Sequence, residues 1–242
     1  MHIFLTSSPT GDLDGSRPVK GIDSFNQFLY NLKKLWKHSY RCAYICADFK
    51  SYDSNDEAVQ FFKKAFQDSN LFFSCFDCID DRNHEKLDYD VILLGGGHVP
   101  SQNQYFKDYK IKEKLKEFDG ILIGISAGSM NCANIVYAMP EEAGESINPG
   151  YQRFLTGLGY TDTQILPHYQ MLKESVLDGK RLFEDIVYPD SYNHSFLCLV
   201  DGSYVYIHDG IETVYGLSYK IQDSRLELFC DHNEHRILKI CE

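Results

Sequence analysis

Two stretches decide how this chain folds: Tyr89-Asp90-Val91-Ile92-Leu93-Leu94-Gly95-Gly96-Gly97-His98 and Gly120-Ile121-Leu122-Ile123-Gly124-Ile125-Ser126-Ala127-Gly128. Each is hydrophobic without alternation, as a strand buried on both faces must be, and each ends in a glycine-rich turn. Ligands of open α/β sheets bind at the carboxyl ends of the strands, so these turns, if neighbours, form one crevice. Upstream, the same alternation of strand-length apolar runs and helical periods repeats. Residues 2–8 and 41–47 read as strands, and so do residues 71–78. Between them lie a helix capped by Asp23 or Ser24 that buries Phe25, Phe28, Leu29, Leu32 and Leu35, and one opened by Asn55 or Asp56 that buries Val59, Phe62 and Phe66.

Downstream, a Lys-rich helix is expected over residues 103–117, and the run Ser129-Met130-Asn131-Cys132-Ala133-Asn134-Ile135-Val136 reads as helix. The rhythm loosens after about residue 138, then resumes with a strand near 160–169 and a helix near 171–188. The last 47 residues read as short strands separated by Asp-Gly and Asp-Ser turns, added antiparallel at a sheet edge. The expectation is an α/β fold with a mostly parallel, doubly wound sheet. It forms a single domain over residues 1–242, with a βα core (1–195) and a mainly β extension (196–242).

A chain of 242 residues, 43% hydrophobic, suffices for one such domain and its core. Its net charge of −11 is the wrong sign for following a phosphate backbone, so a nucleic-acid partner is not expected. The start lacks the basic head and apolar run of a secretory signal, and no stretch approaches the ~20 apolar residues of a membrane span. A soluble, cytoplasmic protein with no membrane partner is therefore expected. Of the eight cysteines, Cys42, Cys46, Cys132, Cys198 and Cys230 sit in apolar runs, where free Cys behaves as a small hydrophobe.

The chemistry concentrates at Gly124-Ile125-Ser126-Ala127-Gly128, where a buried strand turns sharply into a helix. Glycines flanking a serine in that context let the backbone double back and leave the hydroxyl exposed above the sheet, while a helix amino terminus adds partial positive charge. Ser126 is the candidate nucleophile; the bland alternative is a tight structural turn, and Ser129 falls on the helix. Gly95, Gly96 and Gly97 allow backbone N–H groups to approach a substrate, and with the Ala127 amide they would form an oxyanion hole. The Lys-Ser/Thr of a phosphate-binding P-loop is missing.

A nucleophilic serine needs a base, and His168 ends an apolar strand just as Ser126 does, with His98 as the competitor. The acid is assigned to Asp201, ahead of Glu141, Glu142 and Asp185, although Asp201-Gly202 also reads as a plain turn. Cys75 and Cys78 with Cys42 and Cys46 have ligand-like spacing. Both pairs lie within strands, where alternate residues face opposite ways, and no metal site is expected.

The combination GGGH (95–98), GISAGS (124–129) and LPHY (166–169), in that order and spacing, resembles the dipeptidase E family of serine peptidases, with its aspartyl dipeptidases and related cyanophycinases. The resemblance spans roughly residues 1–215. It implies a flavodoxin-like sheet related to class I glutamine amidotransferases and a cofactor-free serine peptidase acting on short peptides. Ser126 then matches the nucleophile, His168 the base, and Gly97 with Ala127 the oxyanion donors, while Gly96 and His98 face the substrate. Two departures stand out. The family commonly has Glu where Asp201 stands, and an alternative acid before its Met-Pro pair is replaced here by Ala138. His98 stands where the dipeptidases typically have Asn, so selectivity for an amino-terminal Asp does not carry over; gripping that carboxylate would need an arginine, such as Arg153 or Arg181.

The loops at 9–21 or 139–153 are expected to narrow the crevice, and a homodimer is left open. Two other readings compete. An α/β-hydrolase esterase would take its base late in the chain, from His208, His232 or His235. A non-catalytic relative would keep the crevice for a small metabolite.

Overall fold

The computed structural model of the chain describes residues 1–85 and 87–240, so the last two residues of the expected β extension lie outside it. Five strands run parallel: β1 (His2–Thr6), β2 (Tyr40–Ile45), β3 (Phe73–Ile79), β4 (Val91–Leu94) and β5 (Ile121–Ile125). Their order across the sheet is β1, β5, β4, β2, β3. Leu94 pairs with Gly124 and Thr6 with Ile125, so β4 and β5 are neighbours and both glycine turns leave the same sheet edge. All four β4 side chains are fully buried, and such burial stabilises by about 1.5–3 kcal/mol per side chain.

Between the strands, α1 (Phe28–Leu35) buries Phe28 and Leu32, and α2 (Tyr52–Asp68) buries Val59, Phe62 and Phe66. The helix α2 starts earlier than the Asn55 or Asp56 cap predicts. Asn55 is instead buried in its first turn, where its amide donates to the Asp48 carbonyl and to Asp80. After β4, the Lys-rich segment divides into α3 (Val99–Asp108) and a single turn, Ile111–Lys114, because Lys110 adopts a left-handed conformation (φ 53°).

Beyond β1 the sheet continues with three antiparallel strands, Tyr204–His208, Ile211–Tyr215 and His235–Ile240. Asp209 and Gly210 both take positive φ between the first two, the conformation a two-residue hairpin with matching twist requires. The remaining carboxyl-terminal strands do not join this edge as expected. Phe196–Leu199, Ser218–Gln222 and Arg225–Cys230 form a second sheet with Gln164–Leu166. The physical reason is Gly216: the chain breaks there between Ile211–Tyr215 and Ser218–Gln222, at φ +87°, where a Cβ would lie 2.1 Å from the Asn26 amide. The second sheet shares a separate apolar cluster with Tyr137, Leu182, Phe183 and Ile186.

Two expected helices are corrected. After Ser126 only Ala127–Met130 is helical, and the chain then enters the strand Ile135–Tyr137, paired with Phe154–Thr156. Asn131 ends the turn by donating its side chain to the Val99 carbonyl and to Gln102, and the Asn134 N–H goes to Thr161. Residues 171–188 divide into a turn at Tyr169–Leu172, a hairpin of Val176–Leu177 with Lys180–Arg181, and a wide helical turn at Leu182–Val187. Asp178 and Gly179, both at positive φ, make that hairpin where a continuous helix was read. Among the described residues, no helix is long and apolar enough to cross a membrane.

Candidate active site

Ser126 leaves β5 at φ 50°, ψ −113°, a conformation non-glycine residues hold only when their surroundings enforce it. The enforcement is visible. The Ser126 N–H donates to the Thr6 carbonyl (3.0 Å), Thr6 Oγ1 donates to the Gly124 carbonyl (2.7 Å), and Ser129 Oγ donates to the Thr6 carbonyl (2.8 Å). Ser129 therefore serves the turn. Both flanking glycines are obligatory for close approach: a Cβ on Gly124 would sit 2.8 Å from Ser129 Cα, and one on Gly128 would sit 2.2 Å from the Leu94 carbonyl of β4. Only one helical turn, Ala127–Met130, follows Ser126, so a long helix macrodipole does not act there.

His168 follows the strand Gln164–Leu166 and Pro167, and also takes positive φ (56°). Its Nε2 lies 2.9 Å from Ser126 Oγ and its Nδ1 2.7 Å from Asp201 Oδ1. Asp201 and Gly202 do form a turn, Gly202 at φ +84°, carrying the chain from the second sheet to the first. That placement brings the carboxylate to His168. The structure thus joins Ser126, His168 and Asp201 in one hydrogen-bonded chain, two of its members supplied by opposite sheets.

Asp201 is buried, and three further donors hold it: Ser7 Oγ (2.5 Å), the Leu13 N–H (2.9 Å) and Gln170 Nε2 (2.7 Å). Burial pushes its pKa up, but the hydrogen bond and charge of His168, with those from Leu13 and Ser7, outweigh burial and hold the carboxyl below its ordinary range. Ser7 also accepts the His168 N–H (2.8 Å), locking the base to the acid from the end of β1. Sequence reasoning missed Ser7 and Gln170. Ser7 directly follows β1, beside the end of β5, an adjacency that no local pattern in the sequence marks.

The glycine turn packs against this chain. A Cβ on Gly96 would lie 3.4 Å from Ser126 Cβ, and one on Gly97 (φ +153°) would lie 2.5 Å from Ala47 Cβ. His98 turns elsewhere: Nδ1 meets Ser101 Oγ (2.8 Å) and Nε2 meets Glu145 Oε1 (2.9 Å). Glu145 in turn accepts the N–H groups of Glu141 and Glu142, so His98 tethers the 139–153 loop to α3. Of the other acids weighed for the triad, Asp185 binds Arg181, Glu142 is exposed, and Glu141 lines the pocket beside His168 without a hydrogen bond to its ring. His208 stacks on His2 at the opposite end of β1, His232 lies against Phe25 and His235 on Tyr215. Among the cysteines, Cys46 and Cys78 approach to 3.5 Å beside Asp80, and Arg82 already binds that carboxylate through Nε and Nη2.

A pocket of about 360 Å³ opens beside Ser126 and His168, walled largely by Met130, Met139, Leu166, Leu177 and Leu182, with Glu141 on one side. A larger groove of about 760 Å³ lies at the amino ends of β1, β4 and β5, lined by His2, Asp90 and Ile121, and includes none of the Ser126 chain.

The comparisons with known proteins agree with this architecture. A crystal structure of a peptidase from an acI-B1 Actinobacterium superposes with a TM-score of 0.67 at 12% identity, covering 98% of this chain and 96% of that one. A candidate peptidase E protein from Listeria monocytogenes EGD-e superposes with a TM-score of 0.56 at 16% identity, covering 86% and 94%. These likenesses establish a mixed α/β fold with a large, mostly parallel central sheet. No curated protein matches the chain in sequence. The model of peptidase family S51 matches residues 15–214. The chain belongs to peptidase family S51.

Proposed function

We propose that the protein is a serine peptidase acting on short peptides through an acyl-enzyme on Ser126. The observation that carries this reading is the Ser126–His168–Asp201 hydrogen-bonded chain at 2.9 and 2.7 Å, set at the carboxyl end of β5. His168 Nε2 takes the Ser126 proton as Oγ attacks the scissile carbonyl, and then delivers it to the leaving amine. Asp201 holds the imidazole in the tautomer that leaves Nε2 free to accept, and stabilises the imidazolium. The amides of Gly97 and Ala127 stabilise the oxyanion, each such donor being worth roughly 3 kcal/mol. Water then repeats the cycle to release the acid.

The chain order Ser, His, acid differs from the Ser, acid, His order of α/β-hydrolases, and the late histidines have other partners, so the esterase reading has no support in this geometry. A short-peptide preference is supported by the 139–153 loop tied down through His98 and by the Leu13 amide on Asp201, which brings the 9–21 loop to the site. We place the enzyme in the cytoplasm, where its buried thiols stay reduced. The test is release of free amino acids from a dipeptide panel at neutral pH. Turnover by the wild type that disappears in an equally folded Ser126→Ala supports the reading; equal turnover by both overturns it.

A further inference from the structure

The pocket beside Ser126 has a chemical bias of its own. Its walls are largely methionine and aliphatic side chains, and the one carboxylate among the described lining residues is that of Glu141. Glu141 retains accessible surface, and the protein crowded around it, with Glu145 and Glu142 nearby, pushes its pKa up to about 7.

The cations expected to grip an acidic side chain are engaged elsewhere. Arg153 pairs with Asp190 at 3.3 Å and Arg181 with Asp185 at 3.4 Å, and neither lines the pocket. An acidic residue entering it would meet apolar walls and, wherever Glu141 is ionised, a like charge. An ammonium group on an apolar stem would meet packing and an opposite charge, a combination in which attraction to one ligand and repulsion of the other act together.

Resting on the serine-peptidase reading of the same site, we propose that the pocket selects a peptide residue with an apolar stem and an ammonium group that pairs with Glu141, and rejects acidic residues. Two sources offer that chemistry: the α-ammonium of an apolar amino-terminal residue, and the side chain of lysine.

The test uses binding, which does not depend on turnover. Leu-Ala, Lys-Ala, Asp-Ala and the acetylated forms of the first two are titrated calorimetrically into Ser126→Ala and into Ser126→Ala/Glu141→Gln. Leu-Ala or Lys-Ala should bind the first protein at least about tenfold more tightly than Asp-Ala, and the second variant should shrink that ratio to about twofold. Loss of binding on acetylating Leu-Ala identifies the α-ammonium; retention by acetyl-Lys-Ala identifies the side chain. Equal or tighter binding of Asp-Ala, or a ratio unchanged by Glu141→Gln, overturns the proposal. Should the wild type bind Leu-Ala with this preference and yet hydrolyse none of the peptides, the catalytic reading fails and the pocket assignment stands.

Discussion

The two halves of the site are built on different physical terms. The Ser126 half rests on β1, β4 and β5, whose fully buried aliphatic side chains and close backbone contacts leave little room for adjustment. The half that supplies most of the pocket wall, from Met139 to Leu182, is made of two-residue and three-residue strands, a single helical turn and a hairpin. On the proposed reading, the nucleophile sits on the rigid half, while His168 and most of the pocket wall sit on short elements that exchange side chains without disturbing the central sheet. Such a division would let substrate contacts change while the nucleophile stays in place.

The largest expected effect tests the rigid half. Ser126→Ala should lower kcat by on the order of 10⁴-fold or more with the fold intact, measured on whichever dipeptide the wild type turns over best. Asp201→Asn should lower kcat by roughly 10³- to 10⁴-fold, because the imidazole loses the acceptor that sets its tautomer. Residual kcat near the wild-type value would assign the orienting role to another group.

A matched pair of glycine substitutions compares the two regions directly. Gly128→Ala places a Cβ 2.2 Å from the Leu94 carbonyl and should cost about 3 kcal/mol in denaturant unfolding. Gly179→Ala, at the hairpin turn with open space around it, should cost about 1 kcal/mol, the penalty for its left-handed φ alone. Equal costs would erase the distinction between the two halves.

The smallest effect is in acid. The folded pKa of Asp201 lies below its unfolded value of about 3.9, so its contribution to stability is complete above that value and is lost as pH falls through the folded value. Wild-type stability should therefore fall more steeply below about pH 4 than that of Asp201→Asn. Parallel pH profiles would mean that Asp201 is not held in its charged form.

How much of this was legible in the sequence divides along the same line. The runs ending at Leu94 and Ile125 announce themselves because parallel strands buried on both faces leave no polar alternation, and Ser126, His168 and Asp201 all fall where an apolar strand ends. The pocket wall left weaker signals. The Asp178-Gly179 hairpin lay inside a helical period, and Asn131 ended a helix through side-chain contacts with α3 that only the fold supplies. Gly216 carries no turn partner such as Asp or Asn beside it, yet it sends the chain from one sheet to the other. Ser7 was invisible because its role depends on β1 lying beside β5, a neighbour 118 residues away in the chain, as the Thr6 to Gly124 hydrogen bond measures.

One measurement tests the central claim most directly: intact-protein and peptide mass spectrometry after reaction with a fluorophosphonate, which requires an activated serine. The expected result is a single adduct on Ser126, absent from Ser126→Ala and formed far more slowly by His168→Ala. An adduct on another serine, or labelling of Ser126 at the same rate without His168, would contradict it.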